Sequence, residues 1–338
     1  SETMIKLAIS FVLLITMPSP ASAQTMAQIV EGAKAEKELL TYATTQAPVM
    51  NRLVQGFNKK YPFIKVEYYR AGAEKIAQRF DTEAAAGRHV VDVVNLSGSE
   101  MYWTAKKGHF AVYDSPERKA IRPSYKDKQG LWTAQYSTIA VIGYNRKLVA
   151  PADVPKSYDD MLLPKWKGHI GLDQTDDDWY MVLVHVMGEK KAAEFIRALA
   201  RQNVEFRRGR QLAAELLAAG EWAMAPTMRI AAGEEIRRKG APVDWAAMEP
   251  LFPNPPNALA LARRAPHPNA GKLWIDYILS RDVQDFYANE VGVSVGRADV
   301  VLANERLRKL RYGEIDWPVY LEKLQHYQDE WRKVMKPY

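Results

Sequence analysis

A chain of 338 residues suits two compact domains or one large α/β unit, and a 47% share of hydrophobic residues excludes disorder over most of its length. With no cysteine there is no disulfide, thiolate metal site or thiol nucleophile, so site chemistry rests on oxygen, nitrogen and aromatic groups. Forty-seven Lys and Arg against 40 Asp and Glu give a net charge of +7, but the two signs are interspersed, which describes a mildly basic surface and no nucleic-acid-binding stripe.

The N-terminus carries the parts of a secretory leader in the required order. Lys6 is a short positive region, Leu7 to Met17 is an uncharged run of 11 residues, and Pro18 and Pro20 precede the small-residue pattern Ala21-Ser22-Ala23. Eleven residues at about 1.5 Å each span only about half of a bilayer core, too little for an anchor. The expectation is a signal peptide over residues 1–23, cleaved to leave Gln24 first, and export to the periplasm. Ser1-Glu2-Thr3 stand upstream of a start-like Met4.

Beyond the leader, short apolar runs alternate with segments of helical period, the pattern of an α/β protein. Leu39 to Ala43 reads as a strand. Met50, Leu53, Val54 and Phe57 form one helical face, and Ile64, Val66 and Tyr68 alternate as a second strand. Ala73, Ile76, Ala77 and Phe80 repeat the helical spacing before a valine-rich strand over Val90 to Leu96. This β-α-β-α-β order predicts parallel pairing with right-handed crossovers. Ser137 to Tyr144 reads as one strand long enough to run between domains. Strands at His169 to Leu172, Val204 to Phe206 and Trp222 to Pro226, with a helix face at Ala192, Phe195, Ile196 and Leu199, suggest a second lobe. A proline-rich stretch at 250–256 precedes a returning strand, Ala258 to Ala262, and helices at Trp274 to Leu279 and Tyr320 to Trp331.

Seven segments in this order resemble one family. They are Leu39 to Thr45 (LLTYATT), VEYYRAGAEKIAQRF, VVDVVNLSGSEMYW, WTAQYSTIAVIGYNRKLV with its Tyr144-Asn145, KWKGHIGLD, LLAAGEWAMA, and ARRAPHPNAGKLWIDYILSRDVQDFYA. The chain resembles the extracellular solute-binding proteins of bacterial ABC importers, in the iron(III)-type branch. That resemblance implies a type II periplasmic-binding-protein fold: two α/β lobes, each a mixed, mostly parallel sheet flanked by helices, joined by two crossover hinge strands. It places residues 24–141 and 250–338 in lobe 1 and 142–249 in lobe 2. It implies a monomer without a cofactor that holds a small solute in the cleft and passes it to a membrane permease.

Relatives that hold ferric iron use adjacent tyrosines after the Gly-Glu strand, and iron(III), a hard cation, favours such oxygens. Here the place of that pair, downstream of Gly220-Glu221, holds Met228-Arg229, and Thr44-Thr45-Gln46 lacks the usual histidine. An arginine repels a trivalent cation, whereas its planar fork suits a carboxylate or phosphonate. The expected ligand is therefore an organic anion or zwitterion, such as an aminophosphonate, an amino acid or an aromatic carboxylate, with iron bound by an atypical ligand set as the alternative.

Each further candidate residue has two readings. Thr44 and Thr45 precede a helix, as do Ser97 and Ser99; their hydroxyls either meet the anion or cap the helix. Arg70 ends the second strand, facing the cleft or forming a surface ion pair. Asp176-Asp177-Asp178 suit a positive helix N-terminus, or Asp178 accepts an ammonium while Trp179 or Tyr180 stacks on the ligand. Trp132 and Tyr136 precede the hinge strand and serve either the ligand or hinge packing. A calcium loop starting at Asp173 fails, since its sixth and twelfth positions are Asp178 and Val184. No hydrolase, zincin, P-loop or dinucleotide motif is present, so the chain reads as a binding protein and not an enzyme. Arg207, Arg208 and Arg210 form the densest basic cluster, read as a permease contact or surface pairs.

Overall fold

The computed structural model describes residues 23–338, so the expected leader lies outside the described residues except for Ala23. Thr25 and Gln28 form a capping box that starts α1 (Met26–Glu36). The predicted alternation follows as β1 (Glu38–Ala43), α2 (Ala47–Lys60), β2 (Lys65–Arg70), α3 (Ala73–Ala85), β3 (Val93–Ser97) and α4 (Ser99–Lys106). Met50, Leu53 and Phe57 form the buried face of α2, and Ile76 and Phe80 that of α3, as their spacing predicts.

The expected strand over 137–144 begins only at Ala140, as β5 (Ala140–Asn145), and is preceded by a separate strand, β4 (Thr133–Tyr136), which belongs to a different sheet. Between them Ser137 bridges to Ser294 and Ile139 to Pro253. The backbone changes hydrogen-bonding partners as it leaves one lobe for the other, and this ends β4 three residues before β5 begins.

The second lobe continues with β6 (Gly171–Asp173), α5 (Asp177–Met187), α6 (Glu189–Ala200), β7 (Glu205–Arg207), α7 (Arg210–Ala219), β8 (Met224–Arg229), α8 (Ile230–Arg238) and β9 (Val243–Ala246). The chain then returns through β10 (Asn257–Leu261), α9 (Pro268–Leu279) and α10 (Arg281–Phe286), and ends with α11 (Glu305–Arg308), α12 (Trp317–Leu321) and α13 (Leu324–Met335).

The first sheet has the order β2-β1-β3-β10-β4, with β1 parallel to β2 and β3, and β10 antiparallel to β3 and β4. Side chains alternate across it: Leu39 joins Phe57 and Trp274 on one face, while Tyr42 joins Ile76 and Phe80 on the other. The second lobe holds the antiparallel order β8-β5-β9 and the parallel pair β6-β7, linked by a bridge from Ile170 to Met224.

Two crossovers meet at the hinge. Asn254 N-H donates to the Thr138 carbonyl at 2.9 Å, the Ser137 hydroxyl donates to the Asn254 carbonyl at 2.7 Å, and the Asn254 amide donates to the Thr138 hydroxyl at 2.9 Å. A third, irregular crossing lies at Ala303-Asn304. Ala303 N-H donates to first-lobe Asn289 at 2.8 Å, while the Asn304 amide donates to second-lobe Glu234 at 2.8 Å.

The C-terminal helices depart from the expected assignment of 250–338 to lobe 1. Trp317, Leu321, Tyr327 and Trp331 share one buried core with Trp179, Tyr180 and Phe195 of α5 and α6. Covering that apolar face of the second lobe places α13 there, whereas α12 also packs on first-lobe α4, whose Tyr102 joins the same core. The predicted helix over 320–331 is also broken between α12 and α13, although Tyr327 and Trp331 remain on its buried side.

Candidate functional site in the interlobe cleft

A cleft of about 450 Å³ opens between the lobes beside the hinge. Its first-lobe wall is Ser97-Gly98-Ser99-Glu100, its back is Thr138 and Asn254, and its second-lobe wall is built on Asp177, Asp178, Arg210 and Arg229. Arg332 of α13 closes one side. The walls come from loops leaving strands and from helix starts, the usual place for ligands in open α/β sheets.

Arg229 ends β8 at the start of α8, and Asp178 is in the first turn of α5. Their Nη2 and Oδ2 atoms are 3.5 Å apart, with side chains 13% and 19% exposed. Arg229 Nη1 and Asp178 Oδ1 are buried without hydrogen-bond partners. Burial lowers the Arg229 pKa from its ordinary value, opposed by Asp178, yet a guanidinium stays charged at neutral pH.

Asp176 organises the wall from behind. It is fully buried and accepts from the Asp173 N-H at 2.9 Å, from Arg210 Nη1 at 2.6 Å and from the Thr227 hydroxyl. Burial raises its pKa, with Arg210 opposing. Burial likewise raises Glu100, and raises Asp177 together with the neighbouring charge of Asp178. The cleft therefore holds three arginines facing three acidic side chains, two of which take up protons above the ordinary carboxylate range.

The other candidate residues divide. Ser97 and Ser99 line the cleft, but the cap position of α4 is Gly98, at φ 66°, so Ser99 is not its N-cap. Thr44 and Thr45 do not cap α2, whose cap residue is Gln46. They belong to a polar network in the first lobe. The Thr44 hydroxyl donates to Asn95 Oδ1 at 2.8 Å and accepts from Asn257 at 2.9 Å, and the Thr45 hydroxyl accepts from Gln135 at 3.0 Å. The Tyr136 hydroxyl joins this network by accepting from Asn257 at 3.2 Å, with its ring against Tyr287. Arg70 is exposed at the end of edge strand β2 and outside the cleft lining. Trp132 is buried in the first-lobe core.

Trp179 and Tyr180 do not face the cleft. Both are in the second-lobe core, with Tyr180 donating to Glu330 at 2.7 Å. At 100° per residue, a helix that turns Asp178 and Met181 toward the cleft carries the two intervening side chains away from it. Sequence reasoning missed Glu100, Arg210 and Arg332. Arg210 opens a helix just after a strand, as Asp177 does, but its neighbours Arg207 and Arg208 disguised it as part of a surface cluster.

Among the described residues no group of three or more His, Asp or Glu side chains is placed to hold a metal ion, and Met228 is buried beside Gly143 and Gly233. Nor is any helix among them long and apolar enough to cross a membrane.

Residues 101–316 match the model of a family described as bacterial extracellular solute-binding protein, and the chain belongs to that family. Its likeness in sequence and fold lies with the iron-type branch of the type II periplasmic binding proteins. It is 24% identical over 182 residues to the Fe(3+)-binding periplasmic protein of Serratia marcescens, spanning 53% of either chain, so it covers about half the length of that curated relative. A Trichodesmium protein in complex with iron and citrate superposes with a TM-score of 0.76 at 17% identity, over 88% of this chain and 99% of that one. The periplasmic binding protein AfuA of Actinobacillus pleuropneumoniae, with fructose-6-phosphate bound, gives 0.71 at 19% identity, over 89% and 99%. At these identities the structural likeness establishes the two-lobed fold.

Proposed function

We propose that this chain captures a small organic anion or zwitterion between its lobes and delivers it to the permease of an ABC importer. The observation that carries this reading is Arg229, charged and nearly buried in the cleft wall with Nη1 unpartnered. A carboxylate, phosphonate or phosphate ester supplies the acceptor that atom lacks, and an ammonium group on the same ligand suits Asp178 Oδ1. Contacts to both walls at once drive lobe closure. AfuA, crystallised with a sugar phosphate, is a precedent for an anionic ligand on this fold. Export through the leader, residence in the periplasm, a monomeric state and the permease partner belong to the same proposal.

The test is a thermal-shift screen of residues 24–338 against amino acids, phosphonates, sugar phosphates, aromatic acids and ferric citrate. A ligand at 100 times its dissociation constant adds about 2.7 kcal/mol and moves the midpoint by a few degrees. A shift with an organic anion that disappears in Arg229→Ala supports the reading. A shift only with ferric citrate that survives Arg229→Ala replaces it with an iron carrier of atypical ligands.

A further inference from the structure

Behind the two arginines the second-lobe wall is hollow. A cavity of about 90 Å³ lies between β6, β8, α7 and α8, and Arg210 and Arg229 line both this cavity and the cleft. Its remaining wall is made mostly of short or apolar side chains: Leu172, Ala213, Ala214, Ala225, Met228 and Ala232. Ala214 and Ala225 form its buried floor, while half-buried Ala213 and Ala232 and exposed Gln211 stand at its rim. Its acidic members are already engaged: Asp176 is held by Arg210 and by the Thr227 hydroxyl, and Asp173 accepts from the Gly209 N-H at 2.7 Å.

We infer that this cavity is a side-chain subsite, and that the ligand is a small organic acid whose acidic group meets Arg229 while a short apolar arm enters the alanine-lined hollow. The hollow has one-fifth of the cleft's volume, about 90 against about 450 Å³, so it suits a short arm better than a long one. An apolar hollow flanked by two cations orders a ligand that is charged at one end and greasy at the other. A bare metal ion has no group to fill it, and a polyol fills it only by leaving hydroxyls unsatisfied. The inference rests on the anion reading above and narrows it to a ligand class.

Isothermal titration with methyl-, propyl- and hexylphosphonate, and with the corresponding carboxylates acetate, butyrate and heptanoate, tests it. Affinity is expected to rise about fourfold per methylene up to propyl and to stop rising at hexyl. Ala214→Leu, which fills the hollow, is expected to reduce propylphosphonate to the affinity of methylphosphonate. Ala232→Val narrows the opposite wall and serves if Ala214→Leu does not fold. Chain-length dependence that persists in the filled variant, or equal affinities across the series in the wild type, overturns the subsite while Arg229→Ala continues to report on the anion site. Failure of every probe to bind the wild type overturns the subsite, while the anion reading is decided separately by the thermal-shift screen and its Arg229→Ala control.

Discussion

Arg229 and Asp178 face each other across 3.5 Å in the wall of the cleft, and each retains one buried polar atom that nothing in the protein satisfies. A buried ion pair made for stability alone has its lone pairs and protons satisfied, because each unsatisfied one costs free energy. A pair left incomplete where a ligand enters is poised to exchange partners. Arg229→Ala is therefore expected to weaken an anionic ligand by about 2 to 5 kcal/mol. Asp178→Asn distinguishes ligand types by titration calorimetry: it strengthens binding of a simple anion by removing a competitor, and weakens binding of a zwitterion by removing the ammonium acceptor. Unchanged affinity in both variants would remove the pair from the site.

Binding should also depend on pH. Burial holds the Glu100 carboxyl above its ordinary range, and burial together with Asp178 does the same for Asp177. Both line the cleft that holds Arg210, Arg229 and Arg332. As pH rises through these raised pKa values, negative charge appears among the arginines and repels an anion, so affinity is expected to fall as pH rises above the ordinary carboxylate range. Titrations at several pH values with Glu100→Gln and Asp177→Asn should flatten that slope. A slope identical to wild type in the double variant would locate the titrating group elsewhere.

The C-terminal helix is expected to be integral to the second lobe. Trp331 is 1% exposed and meets Trp179 edge-on at a ring separation of 6.3 Å. Trp331→Ala leaves a large cavity and should cost about 3 to 5 kcal/mol by denaturant unfolding. A loss below about 1 kcal/mol would show α13 to be a peripheral addition.

Gly171 bears on the packing beneath the site. A Cβ at this position would overlap the indole of Trp222, which is fully buried. Overpacking of this kind costs about 1 to 3 kcal/mol or more, so Gly171→Ala should lower the melting midpoint by several degrees. A midpoint equal to wild type would mean that Trp222 moves aside freely.

Much of the first lobe was legible in the chain, because Met50, Leu53 and Phe57 or Ile76 and Phe80 repeat at the period of the helices they form. The parallel pairing of its first three strands followed from the same alternation. Arg229 was named from the sequence, and the structure puts it in the wall of the cleft. The boundary between β4 and β5 was not legible, because Ser137, Thr138 and Ile139 differ little in strand propensity from the residues after them and the break reflects a change of sheet. Trp179 and Tyr180 were misread for a related reason: an aromatic after an acidic helix start fits a cleft or a core equally well until the rotation of α5 is known.

The sequence by itself determined the alternation of strands and helices, the family and the sign of the charge at Arg229, since periodicity and residue chemistry are local properties. Only the tertiary structure decided that Arg210 and Arg332 join Arg229 in one cleft, that Thr44 and Thr45 serve a first-lobe network, and that α13 packs on the second lobe. Those outcomes depend on which buried face each distant segment covers and on how far each helix is rotated about its axis, and neither quantity is set by neighbours along the chain.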